Sequence, residues 1–225
     1  MTAAASLPVG APVDAAPAQF PGAVTLTGRT GTVERLSAAK HGPGLLDALR
    51  GHDAVWAYIP AGTFIDDAAL SAYIAACEQN KERVFCAAVG IDGGALGILS
   101  LMEIRPAVRV VEVGNIVYSP ALQRTPLGTE AQYLIARYVF ETLGYRRYEW
   151  KCDALNAASR RAAERFGFTY EGLFRQHMIV KGRSRNTAWF SMLDSEWPAR
   201  KAAFERWLAP ENFDRDGRQK TKLGT

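Results

Sequence analysis

The chain has 225 residues, is 48% hydrophobic and 22% charged, and carries a net charge of +4. That is apolar material enough for one sizeable core, and too weak a charge to require nucleic acid as a partner. No run approaches the roughly 18 apolar residues that mark a membrane-spanning helix.

Residues 1–22, which include "MTAAASLPVGAPVDAAPAQF", lack the early positive charge and continuous apolar core of a signal peptide. They read as a disordered or loosely packed Ala/Pro arm, followed by one domain over 23–209 and a basic tail over 210–225. "AVTLTGRTGTVERL" predicts a strand or hairpin with a Gly-containing turn, "GPGLLDALRG" a short helix, and "DDAALSAYIAACEQNKER" a longer helix opened by acidic residues. "VFCAAVG" and "GALGILSLMEI" form strands around the turn "IDGG", and "VRVVEVGNIVYSP" is a further strand.

From Thr129 to Leu143, the apolar residues Ala131, Leu134, Ile135 and Tyr138 recur at helical spacing. "YRRYEWKCD" is a strand. "NAASRRAAERFGF" is a helix, with Gly167 at the left-handed position after its end and Phe168 making the contact beyond it. A hairpin turning at "KGRSRN" follows, on which either Trp189 or Phe190 faces the core and the other a cleft. The last helix, "PARKAAFERWLAP", sets Phe204, Trp207 and Leu208 on one side, to pack on its own domain or on a second copy in a homodimer. The order predicts a single α/β domain with a mixed sheet.

Cys77, Cys86 and Cys152 have no metal-type spacing, and the three histidines are scattered. The expectation is reduced, buried thiols in a cytoplasmic protein with no metal. Thr125 is a good helix N-cap and Pro126 suits the first helical position. The next amides, of Leu127, Gly128 and Thr129, are then left over by the helix and can cradle an anion. On the chemistry of the turn alone, a plain helix start is the favoured reading.

"VEVGNIVYSPALQRTPLGTEA" together with "KCDALNAASRRAAERFGFTYEG" resembles the acyl-CoA core of the GNAT superfamily of N-acetyltransferases. The branch it is most similar to contains the ribosomal-protein N-terminal acetyltransferases. The specific piece is Asn156, Ser159, Glu164, Gly167, Phe168, Glu171 and Gly172, in the pattern N-x-x-S-x(4)-E-x-x-G-F-x-x-E-G. The resemblance implies a mostly antiparallel mixed sheet flanked by helices, with the fourth and fifth strands splaying apart around the pantetheine arm of acetyl-CoA. In the family signature Q/R-x-x-G-x-G/A, Gln123 and Gly128 match, while Pro126 stands at the first glycine.

The resemblance further implies CoA contacts from Gln123, Arg124, Leu127, Gly128, Thr129, Asn156 and Ser159, and from Arg160 or its neighbour Arg161 near the helix start. It adds an oxyanion-binding amide at Ile116 or Val117. Ser159 becomes the candidate donor to the departing thiolate, because the tyrosine used by other branches is Ala163 here. Glu112 reads either as a general base or as a plain surface carboxylate. Where the closest branch carries a glutamate base this chain has Met178, and neighbouring His177 belongs on the opposite strand face. The implied activity is acetyl transfer to a primary amine, an α-amine or a small molecule, without metal or membrane. The alternatives are a non-catalytic acyl-CoA-binding regulator and, behind it, a nucleic-acid-binding module. By the same resemblance, Gly128→Asp is expected to abolish CoA binding with the fold intact.

Overall fold

The computed structural model describes residues 7–224, so the first residues of the Ala/Pro arm lie outside it. Strands β1 (Thr25–Thr27), β2 (Gly31–Arg35), β3 (Val84–Gly90), β4 (Ala95–Arg105), β5 (Val110–Tyr118), β6 (Arg147–Asp153), β7 (Thr169–Val180) and β8 (Arg183–Leu193) form one sheet. Its order is β1-β2-β3-β4-β5-β6-β8-β7. Every neighbouring pair is antiparallel except β5–β6. The helices are α1 (Ala38–Leu49), α2 (Asp67–Gln79), α3 (Pro126–Arg137), α4 (Ala157–Arg165) and α5 (Trp197–Leu208).

The apolar run of β3 has a simple cause: helices cover both faces of the sheet there. Val84, Cys86 and Ala88 join the core beneath α3 and α5, and Phe85, Ala87 and Val89 join the one beneath α1 and α2. Asp66 caps α2 by accepting from the Ala69 amide at 2.8 Å, as its acidic start led one to expect. The first helix begins earlier than the Gly/Pro-rich stretch suggested, at Ala38, because Ser37 caps it and Pro43 is tolerated inside.

The splay is built by a bulge. β5 pairs with β6 only from Val110 to Val113, against Arg147 to Trp150. Asn115 then takes a left-handed φ of 48°, and the β4–β5 register shifts beside it. Beyond the bulge β5 stays with β4, pairing Val117 with Ile98, while β6 stays with β8 to the Asp153–Thr187 pair. The strands therefore part. They are the fourth and fifth when the opening β1–β2 hairpin counts as one element, as in the sequence, and the fifth and sixth when it counts as two.

Among the described residues, segments on either side of the domain are tied to it. The Ala18 amide donates to Pro106 O at 3.1 Å, that of Gln19 to Leu143 O at 2.9 Å, and that of Gly22 to the Tyr138 hydroxyl at 3.1 Å. Phe204, Trp207 and Leu208 of α5 are buried in the chain's own core, which consumes the face suggested for a second copy. The basic segment after α5 folds back as a hook. Asn212 Nδ2 donates to Trp207 O at 2.9 Å, the Thr221 amide to Asn212 Oδ1 at 2.9 Å, and the Trp207 indole to Gln219 Oε1 at 2.8 Å. Leu223 then enters the core.

Candidate functional site

A cleft of about 1720 Å³ opens at the splay and runs past the first turn of α3, the near face of α4 and the hook. α3 starts as its sequence predicts. Thr125 is the N-cap with Pro126 first, and Thr125 Oγ1 accepts from the Gly128 amide at 3.1 Å. The Thr129 amide reaches Thr125 O at 3.4 Å. The expected anion cradle is thus narrower, because its own cap occupies the Gly128 amide. Among the described residues the amides of Arg124 and Leu127 have no protein acceptor.

The glycine at 128 has a packing reason. A Cβ there would lie 2.8 Å from the Leu122 carbonyl oxygen. The expectation that Gly128→Asp spares the fold is therefore corrected: any side chain must push the loop's backbone aside. Gly128→Ala should lower stability by about 1–3 kcal/mol, readable by urea denaturation, and unchanged stability would show that the loop gives way freely.

On the other wall, Asn156 caps α4, its Oδ1 accepting from the Ser159 amide at 3.0 Å. Its Nδ2 remains a donor. Ser159 Oγ accepts the Trp150 indole N–H at 3.0 Å and also stands beside the buried Cys152 thiol. Gly167 takes φ 89° and the Phe168 amide closes on Ala163 O at 3.0 Å, the helix end the motif spells.

Glu112 is not a surface carboxylate. It is 5% exposed, and burial pushes its pKa above the ordinary value against the opposing pull of Lys151. Lys151 Nζ sits 2.8 Å from Glu112 Oε2 and 3.1 Å from Glu149 Oε2, and 4.0 Å from the centre of the Trp189 ring. Glu149 also holds Arg105 at 2.9 Å and Arg147 at 2.8 Å. Trp189 faces the cleft and Phe190 the core, the division predicted for that strand.

Ile116, Gln123, Arg124, Gly128, Thr129, Asn156, Ser159 and Glu112 all line this cleft. The side chains of Val117 and Leu127 go to the core instead, which leaves only their main chains for any ligand. Arg160 is a correction. Its guanidinium lies over the Tyr170 ring at 5.7 Å, because the cleft face of α4 runs through Ala158, Arg161, Ala162 and Arg165. His177 is another surprise. Gln176 adopts φ 48° at a register shift, and the bulge breaks strand alternation, so that both His177 and Met178 line the cleft. His177 Nδ1 is 2.9 Å from Thr187 Oγ1. The hook residues Phe213, Arg218 and Gln219 also line it, in a stretch that the sequence marked only as a basic tail.

Residues 33–169 match the family profile described as an acetyltransferase (GNAT) domain. A GCN5-related N-acetyltransferase from Brucella melitensis has a solved structure similar to this one. The TM-score is 0.90 at 45% identity, over 93% of this chain and 96% of that one. A probable GNAT-family acetyltransferase from Chromobacterium violaceum gives 0.77 at 38% identity, over 88% and 98% of the two chains. A Bacillus subtilis (strain 168) relative, provisionally named ribosomal N-acetyltransferase YdaF, is 29% identical over 110 residues. That match spans 49% of this chain and 60% of the relative's length.

Proposed function

Because the chain belongs to the GNAT acetyltransferase family, we propose that it transfers an acetyl group from acetyl-CoA to a primary amine by direct attack in a ternary complex. The observation that carries this reading is the cleft at the splay, flanked by the α3 turn on one side and by Asn156 and Ser159 on the other. Acetyl-CoA supplies an activated thioester carbonyl. The chain's residues bind and orient it and move protons.

In this reading the Arg124 and Leu127 amides, at the positive end of α3, receive the pyrophosphate. Gln123, Gly128 and Thr129 shape the same turn. Asn156 Nδ2 donates to the pantetheine arm, and the main chain of β5 at the bulge, Ile116 or Val117, stabilises developing oxyanion charge. The Trp150 indole donates to Ser159 Oγ, so the hydroxyl hydrogen is left to turn from the neighbouring Cys152 sulfur toward the departing one. Glu112 accepts the amine proton. Its Oε2 is held by Lys151, whereas Oε1 lies beside Gly114, where β5 begins to leave β6.

The acceptor fits an α-amine better than a lysine side chain. An α-amine with pKa about 8 is partly neutral near physiological pH, whereas lysine, about 10.4, is not. The name of the B. subtilis relative points to a ribosomal protein as one source of such an amine. We place the reaction in the cytoplasm, in keeping with three free, buried thiols.

The test is CoA release from acetyl-CoA with peptides bearing free N-termini, their N-blocked counterparts and small amines. Turnover confined to free amines is expected. Tight CoA binding without turnover across the panel would favour the regulator reading, for which Ala163 and Met178 speak. Ser159→Ala should lower kcat about tenfold to a hundredfold, the worth of one hydrogen bond to a charged group, with little change in the Kd for CoA. An unchanged kcat removes Ser159 from the chemistry.

A further inference from the structure

The cleft does not end at the α3 turn. Past Thr129 it continues to Arg165, whose Nη1 donates to Thr129 Oγ1 at 3.1 Å and whose guanidinium lies 4.8 Å from the Trp207 ring centre. It then reaches the hook after α5, where Trp207, Phe213, Gly217, Arg218 and Gln219 form the wall. Phe213 and Trp207 meet edge to face at 5.2 Å, and the Phe213–Gln219 bridge closes the hook.

Charge is distributed unevenly along this path. Arg124, Arg161, Arg165 and Arg218 all line the cleft, and none forms an ion pair among the described residues. The acidic residues lining it are Asp53, Glu103, Glu112 and Asp153, none on α3, α4 or the hook. Asp214, on the hook itself, is engaged by the amides of Asp216 and Arg218 at 2.9 and 2.8 Å. Arg165 is half-buried, and burial lowers its pKa from the usual arginine value. An unpaired guanidinium in that position favours an incoming anion.

We propose that the C-terminal hook is a subsite for the 3′-phosphorylated adenosine end of CoA, with Arg218 and Arg165 contacting the 3′-phosphate and Phe213 offering an apolar face to the base. This rests on the acetyl-CoA reading above. A ligand with its thioester at Ser159 and its diphosphate on the α3 turn has one end left, and the cleft leads that end to the hook. The diphosphate already has the α3 amides and Arg124, so the further cations beyond Thr129 suit an additional phosphate. CoA carries one at the ribose 3′ position and dephospho-CoA lacks it.

The experiment is titration calorimetry of the full chain with CoA and with dephospho-CoA, for the wild type and Arg218→Ala. Arg218 is exposed and the hook is held by other residues, so an unchanged Tm is expected for the variant. The wild type should prefer CoA by about tenfold to a hundredfold. Arg218→Ala should lose most of that preference through weaker CoA binding, with dephospho-CoA binding as before. Equal wild-type affinity for the two ligands overturns the subsite while leaving acetyl-CoA as the donor. Equal weakening of both by Arg218→Ala overturns it as well. Failure of the wild type to bind either ligand removes the acetyl-CoA reading and the subsite with it.

Discussion

Replacing Lys151 with methionine is expected to lower folding stability by about 3–5 kcal/mol at mildly alkaline pH, the usual result of breaking one side of a buried ion pair. Lys151 and Glu112 are 12% and 6% exposed at their side chains and lie 2.8 Å apart. Glu149 would not be stranded, because Arg105 and Arg147 remain on it. The orphan would be Glu112, whose pKa burial already raises. Without Lys151 it rises further, and the carboxyl takes a proton sooner as pH falls. The deficit in urea denaturation should therefore be largest near pH 8 and shrink toward pH 5. Methionine keeps an apolar stem against Trp189, so lost packing is a small part of the effect. Adding Glu112→Gln to Lys151→Met should restore most of the stability, a coupling visible in a double-mutant cycle. Wild-type stability of Lys151→Met at pH 8 would mean that water, not Lys151, solvates Glu112.

What could be read in advance divides along physical lines. The stretch from Asn156 to Gly172 spells its own local structure: a side-chain cap, a left-handed glycine and the aromatic that follows it. All three depend on residues within a few positions of one another. The same holds for Thr125 and Pro126 at α3. Arg160 and Arg161 could not be ranked, because choosing between them needs the helix's rotation against the sheet, which its partners Phe166 and Ala163 set through packing. His177 was hidden by a bulge, whose extra residue is a property of two paired strands and not of β7 alone. The surface reading of Glu112 could not be dismissed in advance because its partner Lys151 is on another strand, brought beside it only by the short parallel pairing of β5 and β6. The folding of the basic tail into a hook was hidden for a different reason. Its polar, charged residues read as a tail, yet the fold there rests on side chain-to-backbone bonds by Asn212 and one indole bond to Gln219.

Glu112→Gln should separate function from stability. As the proposed base it is expected to reduce kcat/KM by about a hundredfold to ten-thousandfold. Its effect on stability should be neutral or favourable near neutral pH. The folded-state pKa of Glu112 lies above the ordinary carboxylate value, so between the unfolded and folded pKa values the native state binds more protons than the unfolded one. Stability therefore falls as pH rises through that window, and the charged form persists above it at a cost. Glutamine removes that pH-dependent loss. Lys151 is not orphaned by the change, since Glu149 remains 3.1 Å away. The measurement is a pair of profiles, kcat/KM against pH and urea midpoint against pH, for the wild type and the variant. Lower activity with equal or higher stability above the folded pKa supports a carboxylate kept in an unfavourable place for its chemistry. An unchanged activity profile, together with the loss of the pH-dependent stability difference, would make Glu112 only the buried counter-ion of Lys151. The proton would then leave the acceptor amine through water or His177.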